Sequence, residues 1–297
     1  MSPSRKQRKL KTCDYGITFT SMNKTDLQPF RVMSIMAHQD DFEFNLGGTF
    51  ALLRQTLGDN VKLQIITTSN GASGHHLMTA EETFNRRVQE AESSATLIGA
   101  DYHCLRTLDG NIVGDGQVLI SRNLLGGLWN EIRQFKADVI FCPPIVADPL
   151  AGVHIDHEQT AIAVRYVAYQ LSVPRAYPTL RGENDMTYRT PLIINVDDPY
   201  NQSTQADISQ DISSVYDLKL QMSLCHRSQV LEWLPFVNGE ENITEEDWTK
   251  RFQARHANVN QRYNIQGNRP HECFRVTRWG RAPKEGELEQ LFPNRIP

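Results

Sequence analysis

The sequence contains no Cys-x-x-Cys pair. Its five cysteines (Cys13, Cys104, Cys142, Cys225, Cys273) are odd in number and far apart. That argues against a cysteine zinc site or a disulfide framework and fits a reducing, cytoplasmic setting. No apolar run approaches the length of a membrane span. Net positive charge is also lacking: the formal charge is −4, so no general attraction to nucleic acid or anionic lipid is expected. Arg5, Lys6, Arg8, Lys9 and Lys11 form a local exception. Thr12-Cys13-Asp14 follows them where a signal peptide would place an apolar stretch, so residues 1–28 are read as a solvated, disordered basic tail. No Gly-x-Gly-x-x-Gly follows the first candidate strand, and the acidic loop there would repel phosphates. A nucleotide-binding module is therefore the weakest of the rival readings.

What is present suits a globular enzyme. Hydrophobic residues at 39%, charged residues at 22% and four tryptophans within 297 residues allow one large α/β domain, or one domain with an appendage. Strand and helix signals alternate. Strands are expected over 32–37, 61–68, 102–108 and 137–142, and helices over 46–57, 79–98, 124–135 and 158–171. Thr79 and Glu82 offer a capping box and Gly99 a stop. Successive β-α units predict a Rossmann-like, mostly parallel sheet with helices on both faces. Ligands bind beyond the carboxyl ends of such strands, which groups loops 38–45, 69–78, 109–116 and 143–157 around one site. Later elements are sparser: a strand over 192–196, a helix over 213–228 capped by Ser213 or Ser214, and a strand over 273–277. Residues 229–270 show weak periodicity, so 230–297 is expected as an irregular C-terminal extension packed on the domain formed by 29–229.

Two clusters carry chemistry. His38-Gln39-Asp40-Asp41-Phe42-Glu43 places three carboxylates and an imidazole at the end of a buried strand, where unpaired charge is costly and a metal would relieve the repulsion. Spacing alone also fits an acidic helix start. His154-Ile155-Asp156-His157 falls at the same predicted sheet edge. Together they supply His, Asp and His, with a position left open for water, as a catalytic zinc requires.

Ala37-His38-Gln39-Asp40-Asp41-Phe42-Glu43 resembles the Ala-His-Pro-Asp-Asp-x-Glu signature of the LmbE/PIG-L family of zinc-dependent N-deacetylases, and His154-Ile155-Asp156-His157 resembles its His-Pro-Asp-His motif. Weaker matches are the glycine-rich loop Thr68–Gly74, Arg86-Arg87-Val88-Gln89-Glu90, Leu108-Asp109-Gly110, Lys219 with His226-Arg227-Ser228-Gln229, and Glu272-Cys273-Phe274. The resemblance implies Zn2+ held by His38, Asp41 and His157, with Asp40 as general base. It implies that His154 stabilises the oxyanion or protonates the leaving amine, and that Asp156 orients a histidine. Arg87, Asp109 and His226 match positions at the substrate. A surface ion pair, a turn and a packing role compete for these three in turn. Gln39 and Ile155 replace the two family prolines, which affects loop rigidity and removes no reacting group.

The implied reaction is hydrolysis of the amide of a small-molecule N-acyl amino sugar or glycoconjugate. Another divalent transition metal would suit the same ligands, and nothing excludes a homo-oligomer. Two rivals stand beside it: an amidase for a thiol or other non-sugar conjugate, and a metal-dependent carbohydrate-binding protein without turnover. Trp233, Leu234, Pro235, Phe236 and Trp248 are candidates for an apolar pocket wall or for plain packing. His75-His76 is read as exposed loop in preference to pocket lining.

Overall fold

The structure, a computed structural model, describes residues 29–146, 148–198 and 205–296. The basic tail expected over 1–28 lies outside them. In chain order the elements begin β1 (Phe30–Met36), α1 (Asp41–Asn45), α2 (Gly47–Leu57), β2 (Val61–Thr67), α3 (Ala80–Leu97), β3 (Asp101–Cys104) and α4 (Arg122–Phe135). They continue with β4 (Val139–Cys142), α5 (Ile155–Gln170), β5 (Leu192–Val196), β6 (Ile208–Asp211) and α6 (Tyr216–Cys225). A π-helical turn over Ser228–Trp233 leads to α7 (Leu234–Val237), α8 (Glu245–Arg262), β7 (His271–Val276), α9 (Glu287–Leu291) and β8 (Arg295–Ile296).

The strands form one eight-stranded sheet in the order β3-β2-β1-β4-β5-β7-β6-β8. β1 to β5 pair in parallel, and β7, β6 and β8 add on antiparallel. The period of two along each strand divides its side chains between two cores. Val32, Met36, Val139, Phe141 and Ile194 pack on one face, while Met33, Ile35, Ile140, Cys142 and Ile193 pack on the other. This is the α/β architecture read from the alternating β-α pattern. Chain connections diverge between β1 and β4, so the cleft beyond their carboxyl ends is a topological switch point.

Several elements differ in extent from expectation. β3 stops at Cys104, because the chain turns through Thr107-Asp109-Gly110, with Gly110 at φ +83°. The helix expected from Ser213 opens as a 3-10 turn, and α6 carries no side-chain cap from either Ser213 or Ser214. β6 and α8 carry too little apolar periodicity to be seen in sequence. α8 buries Trp248, Phe252, His256, Val259 and Asn260, and the polar members of that stripe mask its period. It begins at a capping box made by Thr244 and Asp247. Residues 230–297 thus supply a long helix and a strand inside the sheet.

Glu272 of β7 reaches the start of α2. Its carboxylate accepts from the Gly48 N–H at 2.8 Å and the Thr49 N–H at 2.7 Å, and pairs with buried Lys219 at 2.8 Å. Lys219 also donates to the Phe44 carbonyl at 3.1 Å. One buried ion pair therefore fastens the late strand and α6 to the α1–α2 segment that follows β1.

Candidate active site

β1 ends at Met36 and the chain passes through His38-Gln39-Asp40 into the short helix α1. The Asp41 carboxylate accepts the His38 N–H at 2.8 Å, which folds the segment into a tight turn. On the neighbouring strand, the loop after β4 ends at His154, whose Nδ1 accepts the Asp156 N–H at 3.2 Å and so caps α5. α5 starts at Ile155, three residues before the expected Glu158, because His154 is the cap and Asp156 lies in the first turn.

The two turns bring His38, Asp41 and His157 together, with one donor atom of each inside a 4.8 Å group. His38 Nδ1 lies 3.3 Å from His157 Nε2, and Asp41 Oδ1 lies 3.2 Å from the same nitrogen. The far nitrogens of both rings are held by carboxylates. His157 Nδ1 meets Asp198 Oδ2 at 2.9 Å, and His38 Nε2 meets Asp115 Oδ1 at 3.2 Å and Asp156 Oδ2 at 3.4 Å. Carboxylates behind each imidazole fix its orientation and turn the inward nitrogens toward each other and toward Asp41.

The electrostatics agree. Burial opposes protonation of His157, yet Asp41 and Asp198 outweigh it and raise its pKa to about 9. His38 is raised in the same way, against burial, by Asp115, Asp156 and Asp41. Asp115 is pushed down to about 2: burial opposes this, and the charge and hydrogen bond of His38 prevail. The site therefore draws positive charge, which a metal ion would supply in place of protons. Two imidazoles and one carboxylate form a donor set suited to zinc. A second group, His38, His154 and Asp156, also lies within 4.8 Å. Its Asp156 is engaged by the Gly116 and Val118 N–H groups at 2.8 and 3.0 Å, which makes it a brace for that loop.

The cluster lies in a cavity of about 570 Å³. All four loops grouped by the sheet-edge rule contribute to its lining, through Asp40, Ser73, Asp115 and His154 among others. Asp40 is buried and accepts from Arg87 Nη2 at 2.7 Å, while Arg87 Nη1 donates to the Gly71 carbonyl at 2.9 Å. Gly71 sits at φ +60°, and a Cβ there would meet the Arg87 guanidinium at 2.6 Å. The glycine-rich loop thus makes room for the arginine that holds Asp40.

The other expected residues fall in different places. Asp109 is not among the residues lining the cavity. It receives the Thr107 hydroxyl and, at 2.8 Å, the Asn123 amide, so it stabilises its own turn. Asp115, in the second Asp-Gly pair of that loop, is the carboxylate that reaches the cluster. His226 is fully buried behind the cavity with Nε2 3.1 Å from Glu43 Oε2. His75 is buried too. Its Nε2 meets Glu232 at 3.0 Å while Nδ1 accepts from the Leu77 and Met78 N–H groups. The expected exposed loop is therefore an anchor for the π-helical turn. Trp233, Leu234 and Trp248 do line the cavity, whereas Pro235 and Phe236 do not.

Gln39 makes a bond that proline cannot: its Nε2 donates to the Asn70 carbonyl at 2.7 Å, tying the loop after β1 to the loop after β2. Asp198, Asn45 and Arg255 were not singled out from sequence. Asp198 follows β5 at the same sheet edge, which is the signal that could have found it. Arg255 sits in a segment whose pattern carries no such signal.

Residues 33–168 match the PIG-L family, described as GlcNAc-PI de-N-acetylase. The match spans a little under half of the chain. Solved structures share its fold. N,N'-diacetylchitobiose deacetylase from Pyrococcus horikoshii is 20% identical with a TM-score of 0.62, covering 86% of this chain and 85% of its own. A deacetylase of the teicoplanin biosynthesis pathway is 14% identical with a TM-score of 0.53, covering 84% of this chain and 99% of its own. The 4-carboxy-2-hydroxymuconate hydratase of Pseudomonas putida is 17% identical with a TM-score of 0.59, covering 86% and 98%. At these identities the likeness is one of fold, and one of these neighbours is a hydratase, so fold alone does not choose the reaction. No curated protein matches the chain. The matched residues contain both histidine motifs. Gln229, Trp233, Trp248 and Arg255, on the other wall of the cavity, lie beyond the matched residues.

Proposed function

We propose that this protein is a zinc-dependent hydrolase that removes the acyl group from an N-acyl amino sugar or its conjugate. The observation that carries the reading is the convergence of His38, Asp41 and His157 donor atoms at the cavity floor beside Asp40. The PIG-L match over 33–168 supports deacetylation as the reaction class.

In this reading His38, Asp41 and His157 hold the ion. When bound, it supplies Lewis acidity that lowers the pKa of water and polarises the amide carbonyl. Asp40 accepts the proton of the attacking water, and Arg87 holds its carboxylate in place. His154 is the only one of the three histidines with a substantially exposed side chain, at 37%, and its ring lies 4.6 Å from that of His38. It stabilises the negative charge that develops on the carbonyl oxygen. Asp156 orients His38 from behind. The C–N bond breaks as the amine nitrogen takes the proton gathered by Asp40. One carboxylate and one free amine leave for each water and amide consumed.

The test is amine release from a panel of N-acyl amino sugars, with and without a chelator, by the native protein and by Asp40→Ala. Expected is chelator-sensitive release by the native protein only, with equal metal content in both. Normal turnover by Asp40→Ala would sink the assignment, and no release across the panel would favour the binding-protein reading.

A further inference from the structure

Arg255 lines the cavity from α8, on the wall that lies outside the PIG-L match. Its Nη2 donates to Asn45 Oδ1 at 2.7 Å, and its guanidinium stacks over the Phe44 ring at 5.4 Å. These contacts fix the direction of the side chain but satisfy one of five N–H donors. The other arginine of the cavity, Arg87, is paired with Asp40. Among the described residues, Arg255 makes no carboxylate hydrogen bond or ion pair. Burial disfavours its charge, and Asp197, Asp198 and Asp41 offset this only through space. Each of those three is engaged elsewhere: Asp197 by Arg262 and Tyr263, Asp198 by His157, and Asp41 by His38 and His157.

Arg255 is half-buried, and a guanidinium that lines the cavity with unused donors is open to a ligand that completes it. Its planar fork matches the paired oxygens of a carboxylate or phosphate better than it matches neutral hydroxyls. We infer that Arg255, held by Asn45 and Phe44, binds an anionic group of the substrate, a carboxylate or a phosphate, so that the amide substrate is an acidic amino sugar derivative. Asn45 stands four residues after Asp41 in α1, a displacement of about 6 Å along the helix. Asn45 and Arg255 also line the cavity that holds His38, Asp41 and His157, so the anionic group and the amide belong to one substrate. This inference rests on the proposed amide hydrolysis for its substrate.

The experiment compares amine release by the metal-loaded protein from four probes: neutral N-acetylglucosamine, its 1-phosphate, its 6-phosphate, and N-acetylmuramic acid, which bears a carboxylate. Expected is a KM at least about tenfold lower for one anionic probe than for the neutral one, the choice of probe distinguishing phosphate from carboxylate. Arg255→Gln should raise KM for that probe about tenfold to a hundredfold, and raise KM for the neutral probe far less. Arg255→Lys should recover part of the loss. An equal effect on neutral and anionic probes, or no anionic preference, would overturn the inference while leaving amide hydrolysis intact. If no probe is hydrolysed, calorimetric binding of the 1-phosphate, the 6-phosphate and N-acetylmuramic acid to chelated protein still decides it. At least one must bind native protein more tightly than Arg255→Gln, and equal or absent binding rejects it. Thermal melts of both variants establish that they are folded.

Discussion

Arg87 donates to Asp40 at 2.7 Å, and both side chains are buried. Read from sequence, Arg87 matched a position that holds sugar hydroxyls. In the structure the guanidinium lines the cavity and bridges Asp40 and the Gly71 carbonyl. Arg87→Ala is expected to lower kcat about tenfold to a hundredfold, the range for losing a charge-assisted hydrogen bond, with metal content unchanged. Steady-state kinetics and metal analysis check it. A raised KM with normal kcat would return Arg87 to the role of sugar ligand.

Ile155 occupies the first position of α5, after the His154 cap. Proline is favoured at that position because its missing N–H has no helical partner. His154, at φ −75° and ψ 125°, already has the extended backbone that a following proline requires. Ile155→Pro should therefore fold normally and gain about 0.4–1 kcal/mol in urea unfolding. A loss of more than that amount would mean that the turn cannot take the family residue.

Glu272 accepts two backbone N–H groups of α2 and the Lys219 ammonium in a buried setting. Glu272→Ala leaves Lys219 charged and unpaired, at an expected cost of about 3–5 kcal/mol. Glu272→Gln keeps an acceptor for the helix start and should cost less. Chemical denaturation of both variants checks the order, and equal losses would show that the charge of Glu272 accounts for the whole effect and the acceptor kept by glutamine for none.

His256 is buried, and burial, reinforced by Lys219 and Arg255, depresses its pKa from 6.5 to about 2. Its Nδ1 faces the His271 carbonyl at 3.3 Å, and the Tyr216 ring packs edge-on at 5.3 Å. Between those pKa values the unfolded chain binds a proton that the folded chain refuses. Stability therefore falls as pH drops below 6.5, by up to about 1.4 kcal/mol per pH unit. His256→Gln removes this contribution, so its stability between pH 6 and pH 4 should decline less steeply than that of the native protein. Parallel curves in acid unfolding would refute the assignment.

Sequence alone determined the parallel half of the sheet, because strand and helix periodicities are local and β1, β2, β4 and β5 are buried on both faces. It also determined that His38, Asp41 and His157 meet, since short motifs at strand ends converge wherever such a sheet forms. It could not reach α8, whose buried stripe mixes Trp248 and Phe252 with His256 and Asn260. Only tertiary structure decided what lies behind the motifs. Asp115 and Asp198 back the two imidazoles, Glu272 fastens α2 from 223 residues away, and Arg255 reaches the cavity across 210 residues to bind Asn45. Asp109 and Asp115 show the limit most plainly. Both are followed by glycine in one loop, and local pattern cannot tell which one turns outward. The packing of that loop against Asn70 and Asp156 makes the choice.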